Sequence, residues 1–245
     1  MGPLAAPGPR GVKAHARLTA CFEGGRTVLR ELRSMAPLTL LPKRGAGVAA
    51  IVHLVNSATS PLGGDELKLT IHVGPGASLR LSGVAATIAL PGLHGEESVT
   101  EVDVVVEDGG SLEYLPEPTV VTARARHRAV FTAALAADAY LHTREVLVLG
   151  RAGERPGSLV TTQHVTRGEV PVLRQTLEIG DSTLDSSLAH LAGRRVLATD
   201  LVVGGPSVPE ASGEWWSRTS LAAGGTLTTS LAPDAVTALR VFGAP

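Results

Sequence analysis

The sequence predicts a mainly β protein, with stacked strands in a β-helix-like or layered architecture and one or two short helices. Three observations lead there. Apolar and polar residues alternate with period two along much of the chain. Short turn-forming stretches separate the alternating runs. A loose repeat returns the same turn-then-strand pattern several times.

The alternation is clearest in "LKLTIHV", where Leu67, Leu69, Ile71 and Val73 share one face and Lys68, Thr70 and His72 the other. "EVDVVVE" sets Val102, Val104 and Val106 against Glu101, Asp103 and Glu107. In "HRAVFTAAL", Ala129, Phe131, Ala133 and Leu135 fall together, and "SLVTTQHV" and "VPVLRQTLEI" continue the pattern. Each is the mark of a strand with one buried face. The intervening stretches GPGA, EDGGS, AADA, RAGERPG and TRGE are a few residues long, which predicts antiparallel neighbours. They leave little room for crossover helices and disfavour a doubly wound α/β fold.

The repeat places Leu79, Leu112 and Leu141 at corresponding positions after "VGPGAS", "VEDGGS" and "LAADAY", at intervals of about thirty residues. "LAAGGTLTTSL" reads as a fourth copy. Units of this kind can stack so that each covers its neighbour's apolar face; a β-sandwich would give a similar pattern. One helix is expected in "DSTLDSSLAHLAG". Asp181 or Ser182 is its N-cap, Leu184, Leu188 and Leu191 lie at helical spacing, and Gly193 is the C-cap glycine. "APDAVTALR" reads as a second helix starting at Pro233, or as a strand entering "LRVFG".

Composition bounds the rest. The 245 residues suffice for a sizeable core, which must be built from Val, Leu and Ala because aromatics are only 3%. The Pro/Gly-rich opening "MGPLAAPGPRG", residues 1–11, is expected to be disordered, with a single β-rich domain over 12–245. A net charge of −1 offers no basic field for nucleic acid. No apolar run reaches the roughly eighteen residues of a membrane span, and the opening lacks a signal-peptide core. With a single cysteine, Cys21, neither an internal disulfide nor a thiolate cluster can form, which argues for a reducing compartment.

Catalytic motifs are missing. Gly63-Gly64-Asp65 precedes a strand and lacks the Gly-Lys-Ser/Thr of a phosphate loop, so glycine-assisted bending with an Asp cap is the first reading. The eight histidines include no pair at the i, i+4 spacing of a helical metal site, and His72 falls on a polar strand face. There is no Gly-x-Ser-x-Gly, and no carboxylate pair is placed by local spacing for acid–base work. Of Trp215 and Trp216, adjacent positions face opposite ways, so one is expected in the core and the other exposed as a partner anchor. The residues alone give a non-catalytic β-rich module, with protein or carbohydrate as the alternative ligand classes.

Five segments in order resemble the urease accessory protein UreD (UreH) family. They are "ARLTACFEGGRTVLRELRSMAPLTLLP", "SPLGGDELKLTIHVGPGASLRL", the Ala-Ala-Thr of "SGVAAT", "GGSLEYLPEPTVV" and "LHTREVLVLGRAGERPG". The likeness spans most of residues 12 to 243. It departs after Ala-Ala-Thr, where "AATIALPG" lacks the family's lysine and tyrosine, and in "LGRAGERPG", where Gly-Glu comes one residue early. The resemblance implies a stacked β fold and a non-catalytic cytoplasmic scaffold. Such a scaffold binds the urease apoprotein with UreF and the GTPase UreG, can include a homodimer within that complex, and offers nickel a passage to the urease active site. It makes Asp65 the first-choice passage residue, turned inward by Gly63 and Gly64, with Glu113 and Glu178 as further candidates. Nickel would be in transit, not tightly bound.

Overall fold

In the computed structural model, residues 11–45 and 47–243 are described; residues 1–10 of the expected tail lie outside them. The chain opens with two antiparallel pairs, β1 (Lys13–Glu23) with β2 (Arg26–Arg33) and β3 (Leu38–Lys43) with β4 (Ala50–Asn56). There follow β5 (Glu66–Val73), β6 (Ser78–Gly83), β7 (Thr87–Ala89), β8 (Ser98–Val106), β9 (Ser111–Leu115) and β10 (Thr119–Val121). Then come β11 (Arg126–Leu135), β12 (Tyr140–Leu149), β13 (Ser158–Arg167), β14 (Val170–Ile179) and α1 (Ser182–Ser186). β15 (Val196–Val203), β16 (Ala211–Gly213), β17 (Trp216–Ser220), β18 (Thr226–Ala232) and α2 (Ala235–Arg240) complete it.

These strands form two facing sheets. The first has seven strands in the order β14-β13-β11-β8-β5-β1-β2. The second has eleven, with β16-β17-β18-β15-β12-β9-β6-β4-β3 as its path, β10 beside β12 and β7 beside β10. The middle of each sheet is parallel: β1, β5, β8, β11 and β13 in one, β4, β6, β9 and β12 in the other. Antiparallel hairpins close the ends.

The expectation of antiparallel neighbours is corrected at four of the five turns. GPGA, EDGGS and AADA carry the chain from the first sheet into the second, and RAGERPG carries it back; only TRGE makes a hairpin, β13–β14. The same small residues serve either geometry. Gly76 and Gly109 have φ of +64° and +63°, and a Cβ on Gly110 would lie 2.8 Å from the Glu107 carbonyl. Parallel neighbours therefore need no crossover helices, because the opposite sheet is the crossover.

The repeat is borne out by register. Leu79 stands opposite Leu112, and Leu112 opposite Leu141, in one continuous inward row from Ala50 to Val203. Leu79, Leu112 and Leu141 are essentially inaccessible to solvent. The facing row from the first sheet runs Leu18, Ile71, Val104, Ala133, Val165. Each coil thus covers the apolar side chains of the next, and one core cluster joins the two sheets. The supposed fourth copy is different: Leu221–Gly225 links β17 to β18 as a hairpin within one sheet, and Leu227 pairs antiparallel with Leu201.

The long first helix is also corrected. Asp181 caps α1 as expected, accepting from the amides of Thr183 (2.8 Å) and Leu184 (3.1 Å), but the helix stops at Ser186. Leu184 and Leu188 are 55% and 85% exposed, so only Leu191 reaches the core. Ser186 and Ser187 turn their hydroxyls onto nearby backbone, at Thr183 O and Ala189 N, which competes with helix continuation. Gly193 keeps a positive φ of +68° at the end of the following turns. The ambiguous C-terminal segment is helical: Asp234 caps α2, which lays Ala235, Ala238 and Leu239 over the outer face of β12, β15 and β18. Among the described residues no helix is long and apolar enough to cross a membrane.

Candidate functional site

The Gly-Gly-Asp corner comes first. Gly64 has φ of +95°, and a Cβ on Gly63 would lie 2.3 Å from the Gly92 amide nitrogen, so both positions require glycine. The bend turns the Asp65 side chain inward, where it is 2% exposed. Its Oδ1 accepts from the Val12 amide at 2.8 Å. Its Oδ2 accepts from Ser60 Oγ at 2.7 Å and the Leu62 amide at 2.8 Å. The carboxylate thus ties the entry of β1 to the turn before β5. It also borders a small cavity of about 120 Å³ shared with His94 and Glu96.

The other two expected site residues lie elsewhere. Glu113 is on the outer face of the second sheet, where Arg80 holds it bidentately, Nε to Oε2 at 2.7 Å and Nη2 to Oε1 at 3.0 Å. His142 is next in register, and Asp200 accepts from its Nε2 at 3.0 Å and from Arg144 Nε at 2.8 Å. Glu178 is exposed on β14, the edge strand of the first sheet, and its carbonyl meets His190 Nε2 at 3.0 Å. Corner, outer face and edge are separate places. Among the described residues no group of three or more His, Cys, Asp or Glu is disposed to hold a metal ion. His72 does lie on the polar outer face, paired with Glu107.

A different constellation occupies the space between the sheets. A cavity of about 140 Å³ is lined by Tyr114, His127, Phe131, Thr143, Glu145 and Gln163 among others. Tyr114 and Phe131 stack with parallel rings, centroids 5.9 Å apart. Beyond them the wall turns polar. Glu145 accepts from Thr161 Oγ1 at 2.8 Å and Gln163 Nε2 at 3.0 Å, and Gln163 also reaches Thr199 Oγ1 at 3.3 Å. Glu145 lines a second, water-sized space as well, with Gln175 and Thr199 on its far side. The residue keeps partial exposure, and the spaces it lines lie between the sheets. Desolvation pushes its carboxyl above the usual range, and the bonds from Thr161 and Gln163 partly oppose this.

His127 lies at the opposite wall, 3% exposed, with Nδ1 2.9 Å from Ser98 Oγ. Burial lowers its pKa to about 4, so the ring is neutral near neutrality. The Tyr114 hydroxyl is pushed up by burial and by the Glu145 charge. The cavity therefore presents carboxyl, amide, hydroxyl and neutral imidazole groups, with Glu117 and Arg144 also on its lining.

The signal for these residues is present in the sequence. In "LHTREVLVL", Glu145 has the parity of Leu141, Thr143, Leu147 and Leu149, and in "HRAVFTAAL", His127 has the parity of Ala129 and Phe131. A titratable residue on an inward parity is the mark to look for. The tryptophan expectation is corrected: neither is buried. Both are half-buried, Trp215 beneath the Arg194 guanidinium at 3.9 Å and Trp216 near Arg218 at 5.8 Å. Cation–π stacking accounts for part of this cover.

The UreD urease accessory protein model matches residues 12–245. The chain belongs to the UreD family. Urease accessory protein UreD 1 of Saccharopolyspora erythraea is 56% identical over 222 residues, covering 88% of this chain and 87% of that protein. The UreD proteins of Parafrankia and Streptomyces coelicolor are 38% and 36% identical, covering 98% and 95% of the chain and 89% and 94% of their own lengths. Membership sets the chain among urease accessory proteins. It also makes the stacked two-sheet body the frame in which an accessory role has to be explained.

Proposed function

We propose that this chain is a non-catalytic scaffold in urease maturation. It works in the cytoplasm with UreF and the GTPase UreG on the urease apoprotein, and gives nickel a polar way through. The observation that carries this reading is the inter-sheet cavity and its polar wall of Thr143, Glu145 and Gln163, with Thr161 bonded to Glu145 behind it, in a member of an accessory family. Oxygen donors and a neutral imidazole suit nickel without holding it as thiolates would. A passage requires weak and sequential contacts; a closed set of four ligands would stop transfer.

Nickel is cargo here. Glu145, held by two neutral donors, would offer one carboxylate contact, and His127 an imidazole on the facing wall. Asp65 is a further contact in this proposal because it borders its own small cavity beside His94 and Glu96. Glu113 and Glu178 would act, if at all, at the surface, where nickel or a partner arrives.

The test is an activation assay. The urease subunits and the other accessory proteins are expressed with and without this chain, and nickel per active site is measured alongside urease activity. Loss of both without the chain is the expected result; full activity without it overturns the proposal. Glu145→Gln and Asp65→Ala then separate passage from folding. A passage residue lowers nickel delivery per folded molecule, whereas a corner residue lowers only the amount that folds.

A further inference from the structure

The free edge of the first sheet carries an inference independent of nickel. β14 is the last strand of that sheet, hydrogen-bonded on one side only to β13. The Glu178 carbonyl is met by His190 and not by β13. Backbone groups of that parity, at Arg174, Thr176 and Glu178, therefore face outward along the edge. All three side chains are exposed. Neither Arg174 nor Glu178 belongs to any ion pair among the described residues.

The two unpaired charges are opposite in sign and symmetric about Thr176. We infer that β14 is a self-complementary edge on which a second copy of this chain docks antiparallel, about a two-fold axis at Thr176. In that register Arg174 stands opposite the partner's Glu178, and Glu178 opposite the partner's Arg174. The edge amides and carbonyls at Thr176 exchange bonds with those of the partner's Thr176. On the inner face Gln175 meets the partner's Leu177. Two first sheets would join into one continuous sheet across the axis.

A charge on an edge strand ordinarily discourages such pairing. That holds where the opposing charge is alike or absent; here each charge meets its complement twice. His190, itself half-buried, must leave the Glu178 carbonyl or share it.

The experiment uses sedimentation velocity on the full chain over a concentration series to about 0.5 mM, a range suited to weak edge pairing. The wild type is expected to dimerise reversibly. Arg174→Glu and Glu178→Arg each create two like-charge contacts by symmetry, and each is expected to raise the dissociation constant at least about tenfold. Mixing the two single variants restores association, because every contact across the axis is then again between opposite charges. The double exchange in one chain restores it too. Oxidised Thr176→Cys is expected to form a covalent dimer and Arg174→Cys not, since only position 176 meets itself. Unchanged urea midpoints show that the variants fold. A wild type that stays monomeric throughout, single variants that associate as the wild type does, or a mixture that fails to associate overturns the inference. Because Glu178 also figures in the nickel proposal, the mixture decides: it restores pairing without restoring Glu178 on both chains.

Discussion

His127 makes a quantitative demand on the pH dependence of stability. The ring is 3% exposed and its pKa lies at about 4, against 6.5 for an unperturbed histidine. A depressed histidine favours the folded state when neutral. Its contribution is fully present above about 6.5 and is lost as pH falls towards about 4, because the unfolded chain binds the proton first. A gap of about 2.5 units at 1.36 kcal/mol each corresponds to about 3 kcal/mol over the whole window, with about 2 kcal/mol lost between pH 7 and pH 5. His127→Gln cannot take the proton, so its stability should lack this component. Urea unfolding of wild type and variant at half-unit steps from pH 7.5 to 5 measures the difference directly, and carboxylate effects common to both cancel. The wild type should lose about 2 kcal/mol more than the variant. Curves that stay parallel within about 0.5 kcal/mol would refute the reasoning, and with it the claim that this wall of the cavity is dry enough to exclude a charge.

Other outcomes follow from the same geometry. Glu145→Gln removes a carboxyl whose pKa burial raises, and a raised carboxyl weakens the fold as pH climbs above its unfolded value of 4.5; the variant should gain stability relative to wild type between pH 4.5 and 8.5, read by thermal melts at those two values. Asp65→Ala strips an acceptor from three donors and should lower stability by about 2–4 kcal/mol in urea unfolding. Gly63→Ala drives a Cβ into the backbone at Gly92 and should cost more than about 3 kcal/mol, whereas Gly25→Ala, at φ +81° with open space around it, should cost only about 1 kcal/mol. Arg80→Met breaks an exposed pair with Glu113 and should change the urea midpoint by less than the equivalent of about 1 kcal/mol.

Much of this fold is legible because burial alternates as the residues do. Leu67, Leu69, Ile71 and Val73 are buried as their period demands, and the leucines of the repeat meet in register. What local pattern could not distinguish was where a turn leads. Gly-Pro-Gly-Ala satisfies the backbone of a hairpin or a corner equally, and the choice is made by which apolar row the next strand can cover. The helix after β14 failed for a related reason: its leucines have the right spacing, but only Leu191 finds a core. Asp65 was legible as a bend residue because its partners lie close along the chain, apart from Val12. Glu145 and His127 were not singled out, since their partners Gln163, Thr161 and Ser98 come from strands in other coils. A charge on an inward parity announces itself in sequence only once the inward face is known.

The arrangement in which each sheet supplies the return path of the other bears on how the chain comes off the ribosome. Every parallel contact joins a strand to one made about one coil earlier, so each new coil can settle on a surface already formed. Growth is then vectorial: β5 finds β1 waiting, β8 finds β5, β11 finds β8. The advancing end always bears an unsatisfied row of amides and a strip of Val and Leu until the next coil arrives. Only β13, folding back on itself through β14, and the antiparallel β15–β18 stop the sequence. A chain arrested after Leu135 would carry a ready template for any strand within reach, which makes the polypeptide beyond that point the part that turns a sticky intermediate into a finished molecule.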